Sequence, residues 1–143
     1  MLRTAAAAGA TLAVLSATCH DPWSPKALRG GQGAQFVLPL QLDVDLSAWL
    51  AAFEGHSVAL SLDETRTEHN FYRMNFINAV AFIVGNEGSG LSASVAQAAT
   101  ARARIPMPGK VESLNAAAAL AVAMFEAVRQ REQMSERYQH ENA

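Results

Sequence analysis

The sequence predicts an α/β fold in which helices flank a parallel sheet. Short apolar runs alternate with helical segments along the chain, as expected when each strand of a parallel sheet is followed by a crossover helix. Half of the 143 residues are hydrophobic, which is enough to bury a core of ordinary size. We therefore treat residues 1–143 as one domain, in which residues 132–143 form a frayed polar tail beyond the core.

Turn and capping residues divide the first half of the chain into elements. Gly9 ends a first helix at residue 8, and a strand is predicted at residues 11–16. Ser24 and Pro25 are typical of a helix start, and two glycines end that helix after Arg29. The remaining elements predicted in this half are a strand at 34–38, a helix at 46–53 and a strand at 57–62.

A long polar stretch opens the second half. Residues 63–78 show little periodicity and are predicted to form a loop, which at this length is usually functional or mobile. A strand at 79–84, a helix at 92–98 and a short strand at 102–105 follow. From Ser113 onward the apolar residues recur at helical spacing, which predicts one long helix.

Two segments stand out because each ends an apolar run at glycine or proline just before a helix. The first is Gly-Asn-Glu-Gly-Ser-Gly-Leu at 85–91, and the second runs from Ile105 through two prolines and a glycine to Asn115. Such ends expose backbone N–H groups at the edge of the sheet where α/β proteins bind small ligands. The sequence therefore predicts one ligand site built from both segments.

Together these segments resemble the second and third signature motifs of the SpoU (TrmH-like) branch of the SPOUT RNA methyltransferases, which use S-adenosylmethionine. The intervals of twenty residues from Gly85 to Ile105 and nine from Ile105 to Leu114 agree with the family. The resemblance implies that Gly85, Ile105, Met107 and Leu114 contact the cofactor. On the residues alone, Ile105 and Leu114 are more typical of a core and Gly85 of a strand terminator.

The resemblance also implies a catalytic set. Glu87 would shape the glycine loop, and Ser113 and Asn115 would lie beside the reacting groups, with Asn115 positioning the target ribose. Arg3 matches the arginine of the first motif and would help to deprotonate or orient the ribose hydroxyl. On the residues alone, Ser113 is a good helix cap and Arg3 a solvated terminal side chain.

The first motif of the family contains an asparagine six residues before its arginine, and the chain begins after that position. We therefore expect the first strand of the family's sheet to be missing, its neighbour to be left as an open edge, and folding or activity to be weakened. The resemblance also implies a C-terminal trefoil knot, a homodimer, a cytoplasmic location and an RNA partner, either rRNA or tRNA. The alternative is an inactive fragment that only binds S-adenosylmethionine or dimerises.

Composition sets limits on these partners. Eleven basic and thirteen acidic residues give no overall attraction to nucleic acid, which leaves either scattered solvated charges or a local basic face near Lys26 and Arg29 or near residues 102–110. The single cysteine, Cys19, excludes an internal disulfide and is predicted to be buried. The four histidines lack metal-ligand spacing, so we expect no metal site. No run of residues is predicted to span a membrane.

Aromatic residues offer a way to stack on RNA bases. The stretch from Phe71 to Phe76, beside Arg73, is the best candidate for this role. Core packing is the expectation for Trp23 and Trp49.

Overall fold

The fold was analysed in a computed structural model of the chain, which describes residues 1–60, 69–86, 90–110 and 113–141. The helices within these ranges are α1 Leu2–Ala7, α2 Pro25–Gly31, α3 Ala34–Val37, α4 Leu46–Ala52, α5 Ala93–Ala98 and α6 Ala116–Glu141. The strands are β1 Ala13–Val14, β2 Leu40–Gln41, β3 His56–Leu60, β4 His69–Asn70, β5 Val80–Ile83 and β6 Ala101–Arg104. A short 3-10 helix spans Phe71–Arg73.

The strands form two parallel sheets. One is the pair β1 and β2, and the other has the order β4-β6-β3-β5. All pairings between these strands are parallel, so the α/β class with parallel strands is confirmed. In the larger sheet, β3 lies between β5 and β6, the two strands that precede the glycine and proline segments.

Successive side chains of a strand point to opposite faces of a sheet, and in the larger sheet both faces are covered. On one face, Val58 packs with Phe71 and Phe76 against two alanines of α6, Ala123 and Ala127. The next residue of β3, Ala59, belongs to a second cluster with Leu50 of α4 and Ile83 of β5, against which residues of α5 pack. The result is a three-layer arrangement with α6 on one side and α4 and α5 on the other.

A polar pair joins Ser57 of β3 to Thr100, the residue before β6. The Ser57 N–H donates to Thr100 Oγ1 and the Thr100 N–H donates to Ser57 Oγ, both at 2.9 Å. Thr100 Oγ1 also donates to the carbonyl oxygen of Ser57 at 2.8 Å. Ser57 is fully buried, so this reciprocal pairing satisfies groups that would otherwise be desolvated without a partner.

The strand predicted at residues 34–38 was wrong, because residues Ala34–Val37 form α3. Gly33 adopts the left-handed conformation at φ +85° and turns the chain into this helix. Gln35 is buried, and its Nε2 donates to the carbonyl oxygens of Pro22 at 3.1 Å and Ala27 at 2.9 Å. These contacts come from distant residues, so local pattern did not reveal the helix; the strand that follows is β2.

The loop predicted at residues 63–78 was also wrong in part. Residues 61–68 lie outside the described residues, but β4 pairs with β6 and the 3-10 helix follows it directly. Asn70 starts that helix by accepting a hydrogen bond from the Tyr72 N–H at 3.0 Å. Phe71 is fully buried beneath it. The two-residue strand β4 is stabilised by pairing with β6. Two residues are too few to show the alternating pattern that predicts a strand.

The last helix begins three residues later than predicted, at Ala116, because Asn115 and not Ser113 is its cap. Asn115 Oδ1 accepts hydrogen bonds from the Ala117 N–H at 2.8 Å and the Ala118 N–H at 3.3 Å. The helix continues to Glu141. The one-domain boundary and the frayed tail at 132–143 stay predictions.

Candidate functional site

The glycine and proline segments leave the sheet at the same edge. Strands β5 and β6 both run parallel to β3, so their carboxyl ends lie at one side of the sheet, separated only by β3. Gly85 follows β5, and Ile105 follows β6 directly. This is the edge at which parallel sheets bind ligands, and the topology places both predicted motifs there.

The glycine loop closes tightly on itself. Asn86 and Gly90 form an antiparallel bridge, with the Gly90 N–H donating to the Asn86 carbonyl oxygen at 3.1 Å. A Cβ at position 85 would overlap the Gly90 carbonyl group and the Leu91 nitrogen, so only glycine fits there. Gly90 itself has φ +66°. Glu87, a predicted catalytic residue of this loop, lies outside the described residues.

The proline segment divides its side chains between core and surface. Ile105 is only 8% exposed and packs with Val58 and Phe71 in the core, so its side chain has the packing role expected from the residue alone. Met107 is half-buried. From Pro108 to Lys110 the chain is exposed. Any contact that Ile105 makes with a ligand must therefore come from its backbone.

The end of this segment presents polar groups to solvent at the start of α6. Ser113 and Asn115 are exposed, and Leu114 between them is 37% exposed, so its side chain is open to contact from solvent. Asn115 uses its Oδ1 to cap α6. An apolar side chain between two polar ones is thus held at the amino-terminal end of a helix.

Arg3 is exposed on α1, the helix that packs against both α3 and α6. Its helix therefore contacts the same long helix that Asn115 caps. Gly85 and Ile105 follow β5 and β6 at one edge of the sheet, and Met107 lies two residues beyond Ile105. Ser113, Leu114 and Asn115 directly precede α6, and Arg3 lies on α1, which contacts α6.

Several sequence expectations about other side chains were wrong. Phe71 and Phe76 are buried and stack on each other with ring centroids 4.8 Å apart, so of the stretch from 71 to 76 only Tyr72, 52% exposed and next to exposed Arg73, presents a ring to solvent. Trp23 is 42% exposed and is not a core residue, whereas Trp49 stacks on Phe53 at 5.0 Å and packs against the second core cluster as expected. Cys19 is exposed.

The sequence reasoning also missed two polar residues on α6, Gln130 and Arg131. Both side chains bind backbone groups of residues 74–78, the segment that leads into β5. Polar residues on a long helix have no local pattern that separates such contacts from solvation.

Metal ligands and membrane spans were sought in the described parts of the chain. Within them, no group of three or more His, Cys, Asp or Glu side chains could hold a metal ion. No helix among the described residues has both the length and the apolar character needed to cross a bilayer.

The fold is that of an α/β domain with two loop segments at the carboxyl edge of its parallel sheet. Comparison with known proteins identifies the family. The model of the SpoU rRNA Methylase family matches residues 1–125. The chain belongs to this family.

Individual relatives agree with that assignment. An uncharacterised tRNA/rRNA methyltransferase of Synechocystis is 38% identical over 130 residues, which are 91% of this chain and 47% of the relative. A 23S rRNA (guanosine-2'-O-)-methyltransferase, RlmB, of Xylella fastidiosa is 35% identical over 91% of this chain and 52% of its own length. The chain thus spans about half the length of these relatives.

Solved structures show the same fold. An S-adenosylmethionine-bound rRNA methyltransferase from Sinorhizobium meliloti superposes with a TM-score of 0.80 at 33% identity, over 90% of this chain and 49% of that one. A protein described in work on 2'-hydroxyl methylation of C/U34 in tRNA gives a TM-score of 0.77 at 34% identity, over 90% of this chain and 84% of that one.

Proposed function

We propose that the chain transfers a methyl group from S-adenosylmethionine to a ribose 2'-hydroxyl of rRNA or tRNA. The observation that carries the proposal is that the glycine loop and the proline segment both leave the parallel sheet at its carboxyl edge. Family membership and the activities named for the relatives support it.

The residues present fit the cofactor. The tight closure at Gly85 leaves backbone groups of the glycine loop at the sheet edge, and the exposed part of Leu114 offers an apolar contact. Because the Ile105 side chain lies in the core, we assign its backbone, with that of Met107, to the edge of the adenine base. S-adenosylmethionine would supply a methyl group bonded to a positively charged sulfur.

The chain's contribution to the reaction is mainly positioning. S-adenosylmethionine would supply its methyl group to the ribose oxygen, the carbon–sulfur bond breaking with its electron pair left on sulfur, and the hydroxyl proton would pass to solvent water. We assign Asn115 and Ser113 to holding the ribose, and Glu87 to shaping the glycine loop. Arg3 would orient the hydroxyl and assist its proton loss.

The same assignment includes finer features of the fold. We propose a trefoil knot formed by the chain around the two segments, and a sheet that lacks the first strand of the family's fold. The neighbour of that strand would be left as an open edge, and β1 and β5 each pair with one strand among the described residues. The proposed location is the cytoplasm.

A homodimer is also proposed. On α6, Ala118 and Phe125 are both exposed and lie seven residues apart, about two turns, on the same side of the helix. A small residue on this side allows a second helix to approach closely. The partner would be a second copy of the chain.

The alternative function is cofactor binding or dimerisation without methyl transfer. The net charge of −2 favours it, because a chain with no overall attraction to phosphate binds RNA weakly unless its basic residues are clustered.

Transfer of labelled methyl groups from S-adenosylmethionine to unmodified rRNA and tRNA tests the two functions together. The proposed function requires label on ribose, recovered as alkali-resistant dinucleotides, and its loss in Asn115→Ala. Calorimetric titration with S-adenosylmethionine runs in parallel. Binding without transfer by the wild-type chain would establish the alternative. Neither binding nor transfer would contradict the proposed function and leave dimerisation, measured by sedimentation, as the remaining form of the alternative.

A further inference from the structure

Two aromatic side chains form an exposed pair on the surface made by α2 and α3. The rings of Trp23 and Phe36 have centroids 5.7 Å apart and are inclined at 58°. Trp23 is 42% exposed, while Phe36 and its neighbour Val37 are both 75% exposed. Large apolar side chains that are exposed together on one surface usually mark an interaction site.

The pair is held in place by buried and capped groups beneath it. The Trp23 N–H donates to Asp21 Oδ1 at 2.9 Å, and Ser24 Oγ caps α2 by accepting from the Ala27 N–H at 3.3 Å. Gln35, which precedes Phe36, is buried and donates to the carbonyl oxygen of Pro22 and to that of Ala27. The Gln35 side chain therefore connects Pro22 and α2 to α3, the helix that carries Phe36.

The close fit around Gln35 leaves no space for a larger residue nearby. A Cβ at Gly31 would overlap the Gln35 side-chain amide. The two rings are thus presented by a preorganised support, which lowers the entropy lost when a ligand binds to them.

Charge identifies the partner that suits this surface. Residues 1–37 contain three basic side chains, Arg3, Lys26 and Arg29, and a single acidic one, Asp21. The whole chain has eleven basic and thirteen acidic residues, so its acidic excess lies entirely after residue 37. All three basic side chains are exposed, and α1, which carries Arg3, packs against α2 and α3.

We propose that Trp23 and Phe36 form a stacking platform for single-stranded RNA, with Lys26 and Arg29 contacting its phosphates. Aromatic faces bind any base, and cations beside them bind the backbone, so the two features together fit a nucleic acid strand. A purely apolar protein partner would leave the cations without a role. The inference rests on the proposed function, because it assigns the platform to the RNA strand that flanks the methylated nucleotide.

Intrinsic fluorescence reports directly on this platform. The chain has two tryptophans, and the Trp49→Phe variant leaves Trp23 as the single emitter while keeping an aromatic ring against Phe53. We expect an eight-nucleotide oligouridylate or oligoadenylate to quench this emission. In the same background, Phe36→Ala should weaken binding by about tenfold or more, the usual effect of losing one stacking partner.

The double variant Lys26→Gln/Arg29→Gln should lose about two phosphate contacts. The affinity for RNA should then depend less steeply on salt concentration. The matched controls lie on the distant part of α6: Tyr138→Ala removes another exposed aromatic ring, and Arg137→Gln another exposed cation. Neither control should change the quenching or the affinity.

The outcomes separate this inference from the proposed function. Quenching that depends on Phe36 supports the platform even if no methyl group is transferred. Unchanged affinity in Phe36→Ala overturns it even if transfer is normal. If sedimentation shows that Phe36→Ala dissociates an oligomer while RNA affinity stays the same, the platform binds a second copy of the chain and the RNA assignment is wrong.

Discussion

The side-chain amide of Gln130 hydrogen-bonds to the backbone around Phe76 in the pattern that a residue of an adjacent β-strand would make. Its Oε1 accepts a hydrogen bond from the Phe76 N–H at 2.7 Å, and its Nε2 donates to the Met74 carbonyl oxygen at 3.1 Å. The adjacent Arg131 donates to the carbonyl oxygens of Phe76 at 3.1 Å and Asn78 at 3.0 Å. The long C-terminal helix is thereby fastened to the segment that leads into β5 and the glycine loop.

Replacing Gln130 should destabilise the chain. Gln130→Ala leaves the N–H of buried Phe76 and the carbonyl of Met74 without these partners, a loss of roughly 1–3 kcal/mol in the free energy of unfolding. Gln130→Glu keeps an acceptor for Phe76 but places a carboxylate against the Met74 carbonyl and against Glu126, to which Gln130 Nε2 donates at 2.8 Å, so its loss should be at least as large. Urea unfolding measures both. Gln133→Ala is the control, since Gln133 is exposed and contacts Arg129; an equal loss there would contradict the prediction.

Glu126 makes part of this stability dependent on pH. The hydrogen bond from Arg129 is the main cause that lowers the pKa of its carboxyl group, with a further hydrogen bond from Gln130, while burial opposes them. A lowered folded pKa means that the stabilisation is present above the unfolded pKa and is lost as pH falls through the folded value.

Wild-type stability should therefore decline more steeply than that of Glu126→Gln between about pH 5 and pH 3. Unfolding midpoints measured across this window give the comparison. Because Arg129 is largely exposed, the difference should shrink at high salt. Parallel pH profiles for the two proteins would show that the carboxylate contributes nothing.

Local pattern predicted those parts of the fold that local residues determine. Apolar runs that end at Gly85 and Ile105 sufficed to place both segments at the carboxyl edge of a parallel sheet, because that edge follows from strand direction alone. The roles of Arg3, Ser113 and Asn115 came from family resemblance, since a capping asparagine and an exposed arginine have no chemical signature of their own.

Two errors in the fold share a physical cause, which is contact with residues outside the local segment, whereas the late start of α6 follows from a local cap at Asn115. Helix α3 depends on Gln35 reaching Pro22 and Ala27, and strand β4 depends on pairing with β6. The hydrogen bonds of Gln130 span 54 and 56 residues. None of these partners is near in sequence, so periodicity and capping rules could not identify them.

Gly85→Ala should weaken cofactor binding with little effect on the sheet. The added Cβ would overlap the Gly90 carbonyl and the Leu91 nitrogen, which are backbone groups that can yield only if the loop opens. We expect the affinity for S-adenosylmethionine to fall by about tenfold or more in calorimetric titration. Gly30→Ala is the matched control, because a Cβ there meets nothing within 4 Å and should leave cofactor affinity unchanged. If the two variants bound S-adenosylmethionine equally well, the glycine loop would not be part of the cofactor site.

Asn115 has a structural role and a proposed catalytic one, and these are separable because serine and aspartate also cap helices well. Asn115→Ala should lose about 1 kcal/mol of stability with the cap and should also lose methyl transfer. Asn115→Ser keeps an acceptor for the Ala117 and Ala118 N–H groups but removes the amide that would hold the ribose. Its unfolding midpoint should therefore stay near the wild-type value while its kcat falls by at least about tenfold. Normal methyl transfer by this stable variant would show that Asn115 acts only as a helix cap.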